Sequence, residues 1–112
     1  MPKVSSRTYS RYCLEAITLL GNLIRTARKE HKMTAQELAD RAGISRGLLQ
    51  RIEKGDPKCE LGATFEVAAI VGVKLFGAEA TTLTKHIRQT EDKLALLPKS
   101  VRKKARVADD DF

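Results

Sequence analysis

The sequence has no tryptophan and few aromatic residues of any kind, with two tyrosines and three phenylalanines among 112 residues. That excludes a core built on large rings. Leu, Ile, Val and Ala supply the apolar material instead, as a helical bundle allows. The only cysteines, Cys13 and Cys59, stand apart without CxxC spacing, which favours two reduced thiols over a disulfide or a metal site. His31 and His86 are equally isolated and read as surface residues. No apolar run approaches the roughly 20 residues that span a bilayer, and no secretory leader is visible. No nucleophile–base pair, metal-ligand cluster or glycine-rich phosphate loop occurs, so the chain reads as a non-enzyme without metal or cofactor.

What the sequence has in excess is positive charge. Lys and Arg number 21 against 14 Asp and Glu, for a net charge of +7. This suits a polyanionic partner, although a basic surface alone also fits an anionic membrane or plain solubility. The length supports one small domain with extensions.

The most informative stretch is residues 34–55. Thr34 stands three residues before Glu37, the spacing of a capping box that opens a helix. Leu38, Ala39 and Ala42 recur at helical spacing, and Gly43 ends the helix. Ser45 then caps a second helix that reaches roughly to Lys54, where Gly55 stops it. Two short helices joined by a glycine-containing turn form a helix-turn-helix. At roughly 100° per residue, Leu48, Leu49 and Ile52 share one arc with Ser45, while Arg46, Gly47, Gln50, Arg51 and Lys54 share the opposite one. The apolar arc packs on the first helix, where small Ala39 permits close approach. The outer arc is a convex ridge of Arg, Gln and Lys with no acid in it. Such a ridge fits a DNA major groove about 12 Å wide, where Arg and Gln read base edges.

The run MTAQELADRAGISRGLLQRIEKG resembles the phage-repressor-like helix-turn-helix family, the Cro/C1 or XRE type of transcriptional regulator, over roughly residues 19–76. The resemblance implies an all-α, five-helix lambda-repressor-like domain that binds double-stranded DNA as a homodimer on a palindromic operator. The candidate DNA contacts are Thr34, Ala35, Ser45, Arg46, Gly47, Gln50, Arg51, Lys54 and Lys58. Arg28 falls where this family carries an arginine paired with the glutamate matching Glu53. A charge-assisted pair there would clamp the first helix to the end of the second helix of the motif. The alternative is that Arg28 contacts phosphate, as Arg25, Lys29 or Lys32 could.

Around this motif the pattern predicts one long helix, or two abutting ones, from Tyr9 to His31, with Gly21 at a bend or a close helix contact. Its apolar positions form two series, Tyr9, Cys13, Ala16, Ile17 and Leu20, then Leu19, Leu20, Leu23, Ile24 and Ala27. Residues 1–18 are an extension of the family's domain, and the apolar surface they add is either a cap over it or a dimer contact. After the loop Asp56-Pro57-Lys58-Cys59-Glu60, a helix spans Leu61 to Val71 with Leu61, Phe65, Ala68 and Ala69 inward, and Gly72 ends it. Val73, Leu75 and Phe76 seed a short fifth helix that closes the domain near residue 78. A C-terminal helix follows within residues 79–98, with Leu83, Ile87, Leu94 and Leu97 on a thin apolar face that Pro98 terminates. Residues 99–112 read as a flexible tail, with Lys99, Arg102, Lys103, Lys104 and Arg106 basic and Asp109-Asp110-Asp111-Phe112 at the end. The tail is either a solvated segment or a linear motif for DNA or a protein partner.

Together these features predict a dimeric, autoregulatory transcriptional repressor located in the cytoplasm on nucleoid DNA. An antitoxin of the HipB type is the alternative, one that neutralises a HipA-type kinase toxin and represses its own operon. That second resemblance rests on the architecture and on the ending LLPKSVRKKARVADDDF.

Overall fold

A computed structural model describes residues 8–103 of the chain. Within them the regular elements are all helical: α1 (Arg11–Glu30), α2 (Ala35–Ala42), α3 (Arg46–Glu53), α4 (Leu61–Ile70), a 3₁₀ turn (Leu75–Gly77) and α5 (Ala80–Leu96). The chain divides into two units, the first ending at Gly77 and the second starting at Ala78. Lys104, Arg106 and the Asp109 to Phe112 ending lie outside the described residues.

The first unit is built on Ile24 of α1, Leu38 and Ala39 of α2, Leu49 and Ile52 of α3, and Ala63, Val67 and Ala68 of α4, with Val71 following α4. Full burial of Ile24, Leu38, Leu49 and Val67 contributes about 1.5–3 kcal/mol for each side chain. α2 packs on α3 and α4, and α1 packs on α3. Leu20 and Ala27 of α1 lean on the same core.

α1 is one continuous helix with no break at residue 18, opened by the Ser10 side chain, which accepts the Cys13 N–H at 3.1 Å. Its apolar positions separate into two faces. Gly21, Ile24 and Arg28 are buried, whereas Tyr12, Leu19 and Leu23 are exposed, with Ala16 beside them. The second apolar series expected for this helix therefore splits: Leu20, Ile24 and Ala27 meet the core, whereas Leu19 and Leu23, each one residue and about 100° away from a core position, turn outward.

α4 corrects in part the phase expected from sequence: Ala68 is buried as expected and Phe65 half-buried, but Leu61 and Ala69 are not inward. Ala63, Val67 and Ala68 point inward, while Leu61 is 65% exposed and Ala69 also faces solvent. LGATFEVAAI is apolar almost all the way round, so its pattern holds no preferred face and packing alone sets the rotation. Gly72 ends α4 in the left-handed region, at φ +85°. The short fifth element is a 3₁₀ turn, from which Leu75 leans on the core and Phe76 projects.

In the second unit, α5 ends at Leu96, with Leu97 as its cap ahead of Pro98. It carries Leu83, Ile87, Leu94 and Leu97 on one stripe, and none of its residues is buried. A lone helix has no partner within itself on which to bury such a stripe.

Candidate nucleic-acid interface

The turn between α2 and α3 is fixed by local chemistry. The Thr34 hydroxyl accepts the Glu37 N–H at 3.0 Å, and the Glu37 carboxylate accepts the Thr34 N–H at 2.7 Å, closing the capping box. The hydrogen bond from the Thr34 backbone, followed by that involving its side chain, holds the Glu37 carboxyl below its ordinary pKa. Gly43 adopts φ +70°, a region open to glycine at little cost, and the Ile44 N–H then returns to the Ala39 carbonyl at 3.0 Å. The Ser45 hydroxyl accepts the Leu48 N–H at 3.0 Å and opens α3. The two helices are thus held at a set angle before any ligand arrives.

Behind α3, α1 forms a clamp. Arg28 Nε donates to Glu53 Oε2 at 2.7 Å and Arg28 Nη2 donates to Glu53 Oε1 at 3.0 Å. Arg28 Nη1 donates to the Met33 carbonyl at 3.0 Å, so one guanidinium joins the end of α1, the turn after it and the end of α3. Both residues are buried, at 9% and 8% exposure. The bonds to Glu53 outweigh burial and raise the Arg28 pKa above its already high value. The internal pair expected for Arg28 is present in the structure.

Two glycines let the clamp close. A Cβ at Gly21 would stand 2.7 Å from the Ile52 carbonyl oxygen and 2.8 Å from that of Glu53, so this glycine marks a close contact and not a bend. Gly55, at φ +79°, comes so near Thr18 that a Cβ would lie 3.0 Å from its Cα. Thr18 therefore ties the first half of α1 to the loop that follows α3.

In front of the clamp lies a cleft of about 470 Å³. Arg25 and Lys29 of α1 line one side, Thr34 and Ala35 the start of α2, and Arg46, Gln50 and Lys54 the ridge of α3. Arg28 and Glu53 reach its floor as a neutral pair. The net charge around the cleft therefore comes from Arg25, Lys29, Arg46 and Lys54, all exposed. The capping box engages the N–H groups of Thr34 and Glu37, so those of Ala35 and Gln36 are the donors at the first turn of α2 that point out of the helix. Positive side chains, helix-terminal donors and an Arg–Gln ridge thus share one concavity, and these are the groups whose chemistry suits phosphates and base edges.

Five of the nine sequence candidates meet in this cleft: Thr34, Ala35, Arg46, Gln50 and Lys54. Gly47 is exposed on the ridge beside it, where a Cβ would find only the Ser45 hydroxyl, 4.0 Å away. Ser45 has its hydroxyl committed to the helix cap. Lys58 is exposed in the loop after α3 and does not line the cleft.

Arg51 requires a correction to the acid-free ridge. Its Nε donates to Asp56 Oδ2 at 2.8 Å, and Asp56 Oδ1 accepts the Lys58 N–H at 2.9 Å. The Arg51 contact, then the Lys58 amide, hold the Asp56 carboxyl below its ordinary pKa, while Asp56 raises that of Arg51. An acid five residues on, beyond a glycine, is outside the helical spacings at which side chains meet. Only the chain reversal at Gly55 brings it back.

Among the described residues, no group of three or more His, Cys, Asp or Glu side chains could hold a metal ion. No described helix is long and apolar enough to cross a membrane. Residues 24–58 match the family described as helix-turn-helix, so the match covers the last turns of α1, both helices of the motif and the loop after them. No curated protein matches the chain.

Proposed function

We propose that this chain, which carries a helix-turn-helix of the Cro/C1 type at residues 24–58, is a sequence-specific transcriptional repressor that binds a palindromic operator as a dimer. The family match supports a DNA-binding regulator; the repressor and dimer are our reading. The observation that carries it is the cleft, in which Arg25, Lys29, Arg46 and Lys54 surround the exposed first turn of α2 and the ridge of α3. In this reading Arg46 and Arg51 read guanine O6 and N7, and Gln50 reads adenine. Gly47 lets the helix approach the bases, and Thr34, Ala35, Ser45, Lys54 and Lys58 hold the DNA backbone. The protein works without catalysis, in the cytoplasm.

Dimerisation is supported by two exposed apolar stripes. Tyr12, Ala16, Leu19 and Leu23 follow i, i+4, i+7, i+11 spacing on α1, about 130° round the helix from Arg25 and Lys29. A partner on that stripe would leave the DNA face clear. Exposed Ile87 and Leu94 of α5, with half-buried Leu83 and the cap residue Leu97, form the second stripe. A two-fold dimer would set two half-sites about one helical turn apart.

Selection from a randomised duplex library tests this reading. The expected product is a two-fold symmetric site with guanines in each half, bound by a species of twice the monomer mass in light scattering. Recovery of unrelated duplexes, all bound equally, would remove the specific-repressor reading. The HipB-type antitoxin remains compatible, since such a protein also represses its own operon. It rests on the C-terminal ending, most of which lies outside the described residues. Co-purification with a kinase encoded by the neighbouring gene is its test.

A further inference from the structure

Arg51 differs from the other cations of the ridge in being held. Asp56 is anchored by the protein's own backbone: its Oδ1 accepts the Lys58 N–H at 2.9 Å, and its N–H donates to the Arg51 carbonyl at 3.0 Å. The loop is fixed in turn by Gly55, at φ +79° and pressed against Thr18. The carboxylate therefore has a position independent of the guanidinium it binds, whereas the guanidinium takes its position from the carboxylate. Arg46, by contrast, has no hydrogen bond or ion pair among the described residues and is exposed.

Resting on the DNA-binding reading above, we infer that Asp56 is a positioning residue that makes Arg51 a base reader instead of a phosphate contact. Three physical points support this. The bond to Asp56 uses Nε, which leaves the two Nη groups as a forked edge, the geometry that matches guanine O6 and N7. Arginine is a rotamer-rich side chain, and ordering it before binding lowers the entropy lost on the DNA. The carboxylate also cancels the charge of Arg51 and repels an approaching phosphate, so this arginine gains little from DNA of arbitrary sequence. A role in stability alone is a poor account of the pair. The Arg51 side chain is 51% exposed, and exposed ion pairs contribute little to folding.

The inference predicts that removing the acid loosens specificity while strengthening general binding. Asp56→Asn keeps an oxygen to accept the Lys58 N–H and removes only the charge. We expect it to melt near the wild-type temperature and to bind a scrambled duplex more tightly, with a salt slope steeper by about one unit. At one position in each half-site, its preference for guanine should fall roughly tenfold. Arg51→Ala and Arg51→Lys should lose the same preference, and Asp56→Asn added to Arg51→Ala should change nothing further at that position. The measurement is a titration of each protein against the selected operator and its single-base variants at two salt concentrations. A wild type with a guanine preference that Asp56→Asn leaves unchanged, or a uniform loss on all duplexes, would overturn the positioning role alone. A wild type with no preference at any position would overturn the sequence-reading proposal and this inference with it.

Discussion

Arg28–Glu53 and Arg51–Asp56 are the same chemistry on opposite faces of α3. Each joins an arginine to a carboxylate through Nε, at 2.7 and 2.8 Å. The first is buried between α1 and α3, its guanidinium bonded through Nε, Nη1 and Nη2. The second is half exposed, and its Nη groups make no bond among the described residues. Burial decides what each can do. A desolvated pair is costly to break from either side, and its bonds are turned to the protein interior. An exposed pair is weak for stability but free to present a fork. The same division runs through the glycines: Gly21 is required by the carbonyls of Ile52 and Glu53, whereas nothing in the chain crowds Gly47.

The sharpest way to break the comparison is to delete the inner arginine. Arg28→Ala should destabilise the protein by about 3 kcal/mol, because Glu53 is left charged and buried. That corresponds to a melting temperature lower by roughly 12–24 °C for a domain of this size. Arg28→Met with Glu53→Leu should cost much less than Arg28→Ala, since it removes both charges together. A normal melting temperature for Arg28→Ala would mean that the clamp is not what joins α1 to α3.

Next in size is the inner glycine. Gly21→Ala places a methyl group against two backbone carbonyls and should cost about 1–3 kcal/mol by calorimetry, as overpacking does, despite alanine's better helix propensity. Gly47→Ala meets open space and should stabilise the helix by about 0.5 kcal/mol. If its Cβ sits against the bases, it should nonetheless weaken operator binding. Equal effects of the two substitutions on folding would erase the distinction between the faces.

The smallest effect concerns acid. The Glu37 carboxyl is held below its ordinary pKa by Thr34, so the folded state binds its proton less readily than the unfolded state. Its contribution is full above the ordinary carboxylate value, near 4.3, and is lost as the pH falls through the lower folded value. Glu37→Gln retains the capping box and should flatten the fall in melting temperature between about pH 6 and pH 3. An unchanged slope would assign acid sensitivity to other carboxylates.

Much of the inner face was legible in the sequence because each stop and start there has a local chemical cause. Thr34 with Glu37, Gly43 and Ser45 announce α2 and α3 by spacing alone, and the structure places all four in their capping roles. Arg28 and Glu53 lie 25 residues apart, and no periodicity links them, so family resemblance supplied the pair. α4 went out of phase because an all-apolar helix carries no directional pattern. The Arg51–Asp56 contact was hidden for another reason, since it depends on a chain reversal that φ at Gly55 sets. Opposite charges either side of a helix-ending glycine are the signal that could have found it.

The most direct test of the account separates reading from gripping on the outer face. Wild type, Arg46→Ala and Lys54→Ala are titrated against the selected operator and a scrambled duplex at two salt concentrations. Arg46→Ala should lose about 1–3 kcal/mol on the operator and relax preference at one base position. Lys54→Ala should weaken both duplexes about equally and lower the salt slope by about one unit. If both variants lost the same affinity for both duplexes, the ridge would be an electrostatic patch, and a protein that reads DNA sequence through α3 would be contradicted.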